Sequence, residues 1–231
     1  MRIVVLSGAG LSAASGVPTF RGAGGLWEGH RFEDVATPEA WLRDPALVRR
    51  FYDERRVGMA HAKPNAGHYA LARLQAERPN DVTLVTQNID GLLTEVGCTD
   101  VIEMHGAIRS LRCSWDEGHP WVPVSGYQDA AARCACGGPL RPAIVWFGEV
   151  PYHLDRIFES VARCDVFVSV GTSGVVYPAA GLVEIARKGG AARVEINPEP
   201  AGGPFDTVIA EGGEVALPRL VEQLLAGKLL V

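Results

Sequence analysis

Four apolar residues, Ile3-Val4-Val5-Leu6, pass directly into the turn Gly8-Ala9-Gly10 and then into Leu11-Ser12-Ala13. No other feature limits the fold so strongly. A continuously apolar run of this length reads as a strand covered on both faces. A G-x-G-x-x-A turn behind such a strand lets the backbone approach a pyrophosphate, with the next helix opening toward the phosphates. Taken alone, two glycines also suit a plain tight turn. The strand signal recurs at Val82-Thr83-Leu84-Val85, Val101-Ile102-Glu103-Met104, Val166-Phe167-Val168-Ser169-Val170 and Arg193-Val194-Glu195-Ile196. Helix starts lie between. Thr37-Pro38 and Asp44-Pro45 pair a capping side chain with a first-turn proline, and Asn65 can cap a helix from Ala66 to about Glu77. Pro178 can open a helix to Lys188, and the last is expected from near Pro218 to Leu224-Leu225. This alternation predicts an α/β fold, a doubly wound parallel sheet of the Rossmann-like, dinucleotide-binding kind.

Two stretches break the alternation. Residues 22–60 read as helical with no strand, and residues 110–139 as irregular, holding Cys113, Cys134 and Cys136. They are expected to form a smaller inserted domain, a helical module with a Cys-containing module that could bind zinc. The larger domain would then comprise 1–21, 61–109 and 140–231. A chain of 231 residues, 47% hydrophobic and 21% charged, suits a soluble globular protein. No apolar run approaches the roughly 20 residues that span a bilayer, and the amino terminus lacks the layout of a secretory signal. A cytoplasmic protein without membrane partner is expected. The net charge of −5, with no basic block, argues against nucleic acid. Five cysteines suggest thiols or a metal site rather than a disulfide framework, with Cys98 and Cys164 ordinary thiols at helix ends.

An ordinary dehydrogenase would continue with a second strand and an acidic residue roughly 20 positions on. Here the chain runs Ser15-Gly16-Val17-Pro18-Thr19-Phe20-Arg21-Gly22 instead. That stretch, with Gly8-Ala9-Gly10-x-Ser12, resembles the first signature of the sirtuins. Gln87-Asn88-Ile89-Asp90, His105-Gly106, Phe147-Gly148-Glu149, Gly171-Thr172-Ser173 and Asn197 follow in the family's order. Gly24-Gly25-Leu26-Trp27, Val145-Trp146-Phe147 and Val176-Tyr177-Pro178-Ala179-Ala180 are most similar to the bacterial and mitochondrial deacylase branch.

The resemblance implies an enzyme that cleaves the nicotinamide–ribose bond of NAD⁺ and moves the acyl group of a protein lysine onto the sugar. His105 would be the general base on a ribose hydroxyl, a role suited to an imidazole whose ordinary pKa is about 6.5; a histidine satisfied by local hydrogen bonds is the competing reading. Asn88 would orient ribose and nicotinamide, or serve only as a helix cap. The implied cofactor-binding set is Gly8, Ala9, Gly10, Ser12, Ala13, Pro18, Thr19, Phe20, Arg21, Trp27, Gln87, Asn88, Ile89 and Asp90. On the adenosine side it continues with Gly171, Thr172, Ser173, Asn197, Pro198 and Glu199. Phe147, Gly148, Glu149, Val175 and Tyr177 would meet the substrate, the first three by pairing backbone to backbone with a peptide. Acyl-lysine side chains of proteins are the implied partners of a chain acting as a monomer.

Tyr52 and Arg55 stand three positions apart in a predicted helix, so their side chains share a face. The pair resembles that of the desuccinylase and demalonylase branch. A guanidinium fork binds a carboxylate through two parallel hydrogen bonds, and a tyrosine adds a third donor. A solvated basic face with Arg49, Arg50 and Arg56 is the alternative. The cysteines depart from the family, which holds zinc with two C-x-x-C pairs. Three residues after Cys113 stands Asp116, and Cys134-Ala135-Cys136 is one residue too tight. Cys113, Cys134 and Cys136 could bind a structural zinc with Asp116, Glu117 or His119 as fourth ligand; a metal-free loop held by Trp115, Trp121 and turns is equally open. The implied function is an NAD-dependent protein-lysine deacylase acting on succinyl, malonyl and acetyl groups. A plain deacetylase and a non-catalytic NAD sensor remain as alternatives, the sensor disfavoured because it would need no base.

Overall fold

The computed structural model describes residues 1–19, 26, 27 and 29–228. From the amino end, β1 (Ile3–Ser7) and α1 (Ala9–Ala13) lead to β2 (Leu26–Trp27), β3 (His30–Arg31), α2 (Phe32–Val35), α3 (Pro38–Arg43) and α4 (Pro45–Met59). Next come α5 (Ala66–Glu77), β4 (Val82–Thr86), α6 (Leu92–Glu95), β5 (Ile102–Glu103), β6 (Gly106–Cys113), β7 (Val122–Pro123) and β8 (Leu140–Ile144). The chain ends with α7 (Leu154–Ala162), β9 (Val166–Val170), α8 (Leu182–Lys188), β10 (Ala192–Ile196), β11 (Thr207–Ile209) and α9 (Gly213–Leu225).

Six strands form one parallel sheet in the order β11-β10-β9-β1-β4-β5. β1 lies between β4, with Ile3 opposite Val82, and β9, with Ile3 opposite Val166. The direction of winding therefore reverses beside β1, and a crevice opens outside the carboxyl ends of β1 and β9. Successive side chains alternate across the sheet. Ile3, Val5, Leu84 and Val168 pack against Leu71 and Leu74 of α5 and Leu217 and Leu220 of α9. Val4, Leu6, Val85 and Phe167 turn to Ile157 and Val161 of α7 and Leu182 and Ala186 of α8. Leu74 is fully buried, and truncating such a leucine to alanine costs ~2–5 kcal/mol.

The helix starts follow their caps. Thr37 Oγ1 accepts the Ala40 N–H, Asp44 Oδ1 accepts that of Leu47, and Asn65 Oδ1 accepts that of Gly67. The last helix differs from expectation: it opens at Gly213, and Pro218 lies inside it. Burying Ala216, Leu217, Leu220, Val221 and Leu224 outweighs one proline, since each large apolar side chain contributes ~1.5–3 kcal/mol against roughly 3 for the proline. The strand expected over 101–104 is confined to Ile102–Glu103.

Both breaks contain strands that the sequence reading missed. β2 pairs antiparallel with β3 inside the helical stretch. β7, β6 and β8 form a three-stranded antiparallel sheet, with Arg112 opposite Arg141 and Cys113 opposite Leu140. A separate core joins α2, α3 and α4 to this sheet through Trp41, Phe51, Tyr52, Ile108, Ile144 and Trp146.

Candidate active site

The rim at the carboxyl ends of the strands is closed by backbone contact. The Gly8 N–H donates to Val170 O and the Gly10 N–H to Gly171 O, each at 2.9 Å. A Cβ on Gly8 would stand 2.6 Å from Gly171 O, and one on Gly171, where φ is +61°, 2.4 Å from the Leu11 nitrogen. These glycines are thus required by the β1–α1 turn meeting the end of β9, whatever binds there.

Beside this turn four polar side chains hold one another. Asn88 Nδ2 donates to Gly8 O and to Ser12 Oγ, both at 3.1 Å. The Ser12 hydroxyl donates to Asp90 Oδ2 at 2.7 Å and lies 3.3 Å from His68 Nε2. His68 Nδ1 accepts the Asn65 N–H at 3.2 Å, so the neutral ring carries its proton on Nε2 and donates to Ser12. Burial pushes His68 below its ordinary value, with Asp90 opposing. Asn88 caps no helix through its side chain; α6 has Gly91 at its N-cap, and Asp90 Oδ1 just before it accepts the Leu92 N–H. Asn65 and His68 escaped the sequence reading as site residues. The one signal was Asn65-x-x-His68 at capping-box spacing, realised here with histidine in the third helical position.

His105 follows β5. Its Nδ1 lies 3.1 Å from Gln87 O, so Nδ1–H donates there and Nε2 keeps its lone pair. Burial lowers its pKa, and the Gln87 carbonyl opposes the shift. On the other side of β1, Ser169 and Thr172 share a hydrogen bond of 2.8 Å. Asn197 Nδ2 donates to Thr172 O, and Asn197 Oδ1 accepts the Glu199 N–H. Ser173 is half-buried, and Pro198 and Glu199 are exposed beside it. Ala9 and Ala13 belong to α1, Ile89 packs against the third core, and Pro18 and Thr19 are exposed beyond α1. Phe20 and Arg21 lie outside the described residues, and Trp27 is placed only as a strand residue of β2.

Phe147, Val175 and Tyr177 are exposed, the last two at 74% and 78%. Gly148 has φ +91°, where a side chain would be strained. Glu149 turns inward: Arg141 binds both its oxygens at 2.7 and 2.8 Å, Arg112 adds a third contact at 3.1 Å, and the Trp146 N–H donates to Oε2. Burial alone would raise its pKa, yet the Arg141 guanidinium holds it below the usual carboxyl range. Its side chain thus fastens the 147–148 segment to the β6–β8 sheet. Tyr52 and Arg55 are 0% and 6% exposed on one face of α4. Burial pushes the Tyr52 phenol well above its ordinary value against the pull of Arg55, so it stays a neutral hydroxyl. The Arg55 guanidinium lies 5.8 Å over the Phe51 ring. Arg56 points elsewhere, pairing with Asp53 and donating to Ile108 O, so the helix is no solvated basic face.

In the β6–β8 module Cys113, His119, Cys134 and Cys136 place their ligand atoms within 4.8 Å of one another. Cys113 and Cys136 sulfurs are 3.6 Å apart, and Cys134 Sγ is 3.3 Å from His119 Nδ1. Tetrahedral zinc with thiolates at ~2.3 Å needs sulfurs about 3.8 Å apart, so the set fits that ion. His119 beside it draws the Cys113 thiol down to about 6. Gly138 packs closely here: a Cβ would stand 3.0 Å from Cys113 Sγ and from the Trp115 ring, so one of those side chains would have to give. Of the fourth ligands considered, His119 alone joins the group; Asp116 Oδ1 accepts the Gly118 N–H and Glu117 pairs with Arg112.

Strand order and rim together place the chain among dinucleotide-binding α/β proteins. Comparison narrows that class. The model of the Sir2 family matches residues 8–178. An NAD-dependent protein deacylase of Vibrio vulnificus is 47% identical, over 97% of this chain and 94% of that protein. A Sir2 homolog solved with NAD is 37% identical with a TM-score of 0.87, covering 98% and 90%. A Sir2 homologue variant solved with 2′-O-acetyl-ADP-ribose is 36% identical with a TM-score of 0.85, covering 99% and 94%. The chain belongs to the Sir2 family.

Proposed function

We infer that the chain is an NAD-dependent protein deacylase, and we propose that it favours lysine acyl groups ending in a carboxylate, such as succinyl and malonyl, with acetyl as a further substrate. NAD, when bound, supplies the ribose carbon and hydroxyls that accept the acyl group as nicotinamide leaves. The rim fits it: the Gly8–Gly10 turn offers backbone free of side chains, and Asn88, Thr172 and Asn197 are fixed for hydroxyl-bearing partners. His105 Nε2, unprotonated at neutral pH because burial lowers its pKa, takes a proton from a ribose hydroxyl. Ser12, Asp90 and His68 keep Asn88 in one orientation, so no reorganisation is needed when substrate arrives. The segment 147–149, a turn fastened through Glu149, offers backbone groups with which the peptide can pair. Cys113, His119, Cys134 and Cys136 would hold a structural zinc whose role is to keep the β6–β8 sheet folded.

The acidic preference rests on one observation. Arg55 is a buried guanidinium whose charge acts on the Tyr52 phenol, and Tyr52 lies in the same core as Trp146, whose next residue is Phe147. A buried cation and a neutral donor on one helix face suit a carboxylate far better than a methyl group. Mass spectrometry of acetyl-, malonyl- and succinyl-lysine peptides incubated with and without NAD tests it. NAD-dependent loss of the succinyl and malonyl groups faster than acetyl is the expected result; faster acetyl loss would leave a plain deacetylase.

A further inference from the structure

Between the sheet and α8 lies a cavity of about 320 Å³ that the chemistry above does not use. Its floor carries Phe167, Ser169 and Glu195, α8 contributes Glu184, and Gly203 and Phe205 of the following loop close it. Strand alternation sends Val194 and Ile196 toward α9 and turns Glu195 the other way. Glu195 is 1% exposed. Its Oε1 accepts the Ala201 N–H at 2.7 Å, whereas Oε2 has no hydrogen-bond partner among the described residues. A buried acceptor left in that state carries its full desolvation penalty, so the cavity favours an occupant that brings a donor.

The lining says which donor. Among the described residues that line it the acidic members are Glu195 and Glu184, and there is no lysine, arginine or histidine. Glu184 already pairs with Arg187, which leaves Glu195 as the unsatisfied acid. Phe167 and Phe205 supply apolar surface, and ring faces attract an ammonium group. The volume far exceeds the roughly 30 Å³ share of one water and suits a small organic molecule. We propose that the cavity is a second small-molecule site, taking a compact primary amine that donates to Glu195 Oε2 and lays its apolar body against Phe167 and Phe205. Gly8, Gly10, Asn88, His105 and Asn197 are not among its described lining; Gln87, Ser169 and Thr172 are shared with the rim, and Tyr177 with the face expected to meet the substrate.

Calorimetric titration of the full chain with benzylamine, in the presence of saturating ADP-ribose, tests this, with benzyl alcohol as the uncharged control. Benzylamine is expected to bind one to one and more tightly than benzyl alcohol. Glu195→Gln keeps an acceptor for Ala201 and removes the charge, so it should weaken benzylamine by roughly 10-fold or more and leave benzyl alcohol nearly unchanged. Ala180→Leu narrows the cavity without touching the carboxyl group and should weaken both probes; it and the alcohol control decide the matter if Glu195→Gln melts early. No binding to the wild-type chain at millimolar benzylamine would mean a water-filled cavity and overturn the proposal. Equal affinity in all three proteins would do the same. Exclusion of benzylamine by ADP-ribose would make the cavity part of the cofactor rim, and that too would overturn it. Because the readout is binding, a failure here stands apart from any failure of the deacylase reading.

Discussion

At the rim of the parallel sheet, Asn88, Ser12, Asp90 and His68 hold one another through hydrogen bonds that need no ion. In the 113–136 module, three thiols and an imidazole converge beside backbone hydrogen bonds such as Ser114 to Pro139 and Cys134 to Gly138, and two members are half-buried and one exposed. In the rim Ser12 meets partners 56 to 78 residues away in the chain, brought to it by the sheet and α5, so its geometry is a by-product of the fold. The module joins the end of β6 to the loop before β8, and an ion held by its four ligands would add to its stability. Substitutions in the first region should therefore act on rate with the fold intact, and substitutions in the second on stability first.

The largest effect should come from the base. His105→Ala is expected to lower kcat/KM by about 10²–10⁴ while NAD affinity and melting temperature stay near wild type. The ring contributes one hydrogen bond, to Gln87 O, which is why stability should survive. Wild-type turnover in the purified variant would remove the base from the mechanism and with it the contrast between the two regions.

Arg55→Met comes next and sharpens the contrast, because it separates binding from folding inside the small core. The substitution keeps an apolar stem and removes the fork. Truncating one partner of a buried charge pair costs about 2–4 kcal/mol, so succinyl-lysine kcat/KM should fall roughly 30-fold to 1000-fold. Acetyl-lysine, with no distal carboxylate, should change little. Tyr52→Phe should show the same selectivity at smaller size. Parallel losses on both peptides would mean that Arg55 only supports α4.

Smaller still on turnover, and first on stability, is the metal. Freshly purified protein should carry about one zinc per chain, and chelation should lower the melting temperature before activity fades. His119→Ala should lower zinc content and stability, with the residual rate per folded molecule near wild type. A measured content far below one zinc, with His119→Ala melting like wild type, would show the module to be held by its turns and tryptophans instead.

How far the sequence went follows the same division. The strands Ile3–Ser7 and Val166–Val170 were legible because both faces are covered and every position is apolar or small. β8 was not, because Leu140-Arg141-Pro142-Ala143-Ile144 looks like a turn until Glu149 neutralises Arg141 in the interior. The rim motifs were legible as contiguous residues, yet His68 was hidden, since its role depends on α5 packing beside the β1 turn rather than on spacing along the chain. His119 was one of three open choices because loop spacing does not fix which side chain turns inward; the fold does.

The smallest expected effect concerns protons, and it tests whether the rim is as dry as its geometry requires. Burial pushes both His105 and His68 below the ordinary 6.5. For activity the sign is direct: the base must be unprotonated, so kcat/KM should hold its plateau down to pH 6.5 and fall only below it. For stability, both groups bind fewer protons folded than unfolded once the pH drops under 6.5. Their contribution is therefore intact above that value and is lost as pH falls toward the folded-state values. His119 runs the other way, its pKa raised beside Cys113 in the metal-free protein, but zinc would exclude its proton altogether. The measurements are a kcat/KM profile between pH 5 and 8 and urea unfolding at its two ends, on zinc-loaded protein. An acid limb already descending at pH 7 would mean that His105 meets water freely, and the hydrogen-bonded rim would then differ from the ligand-held module less than its geometry indicates.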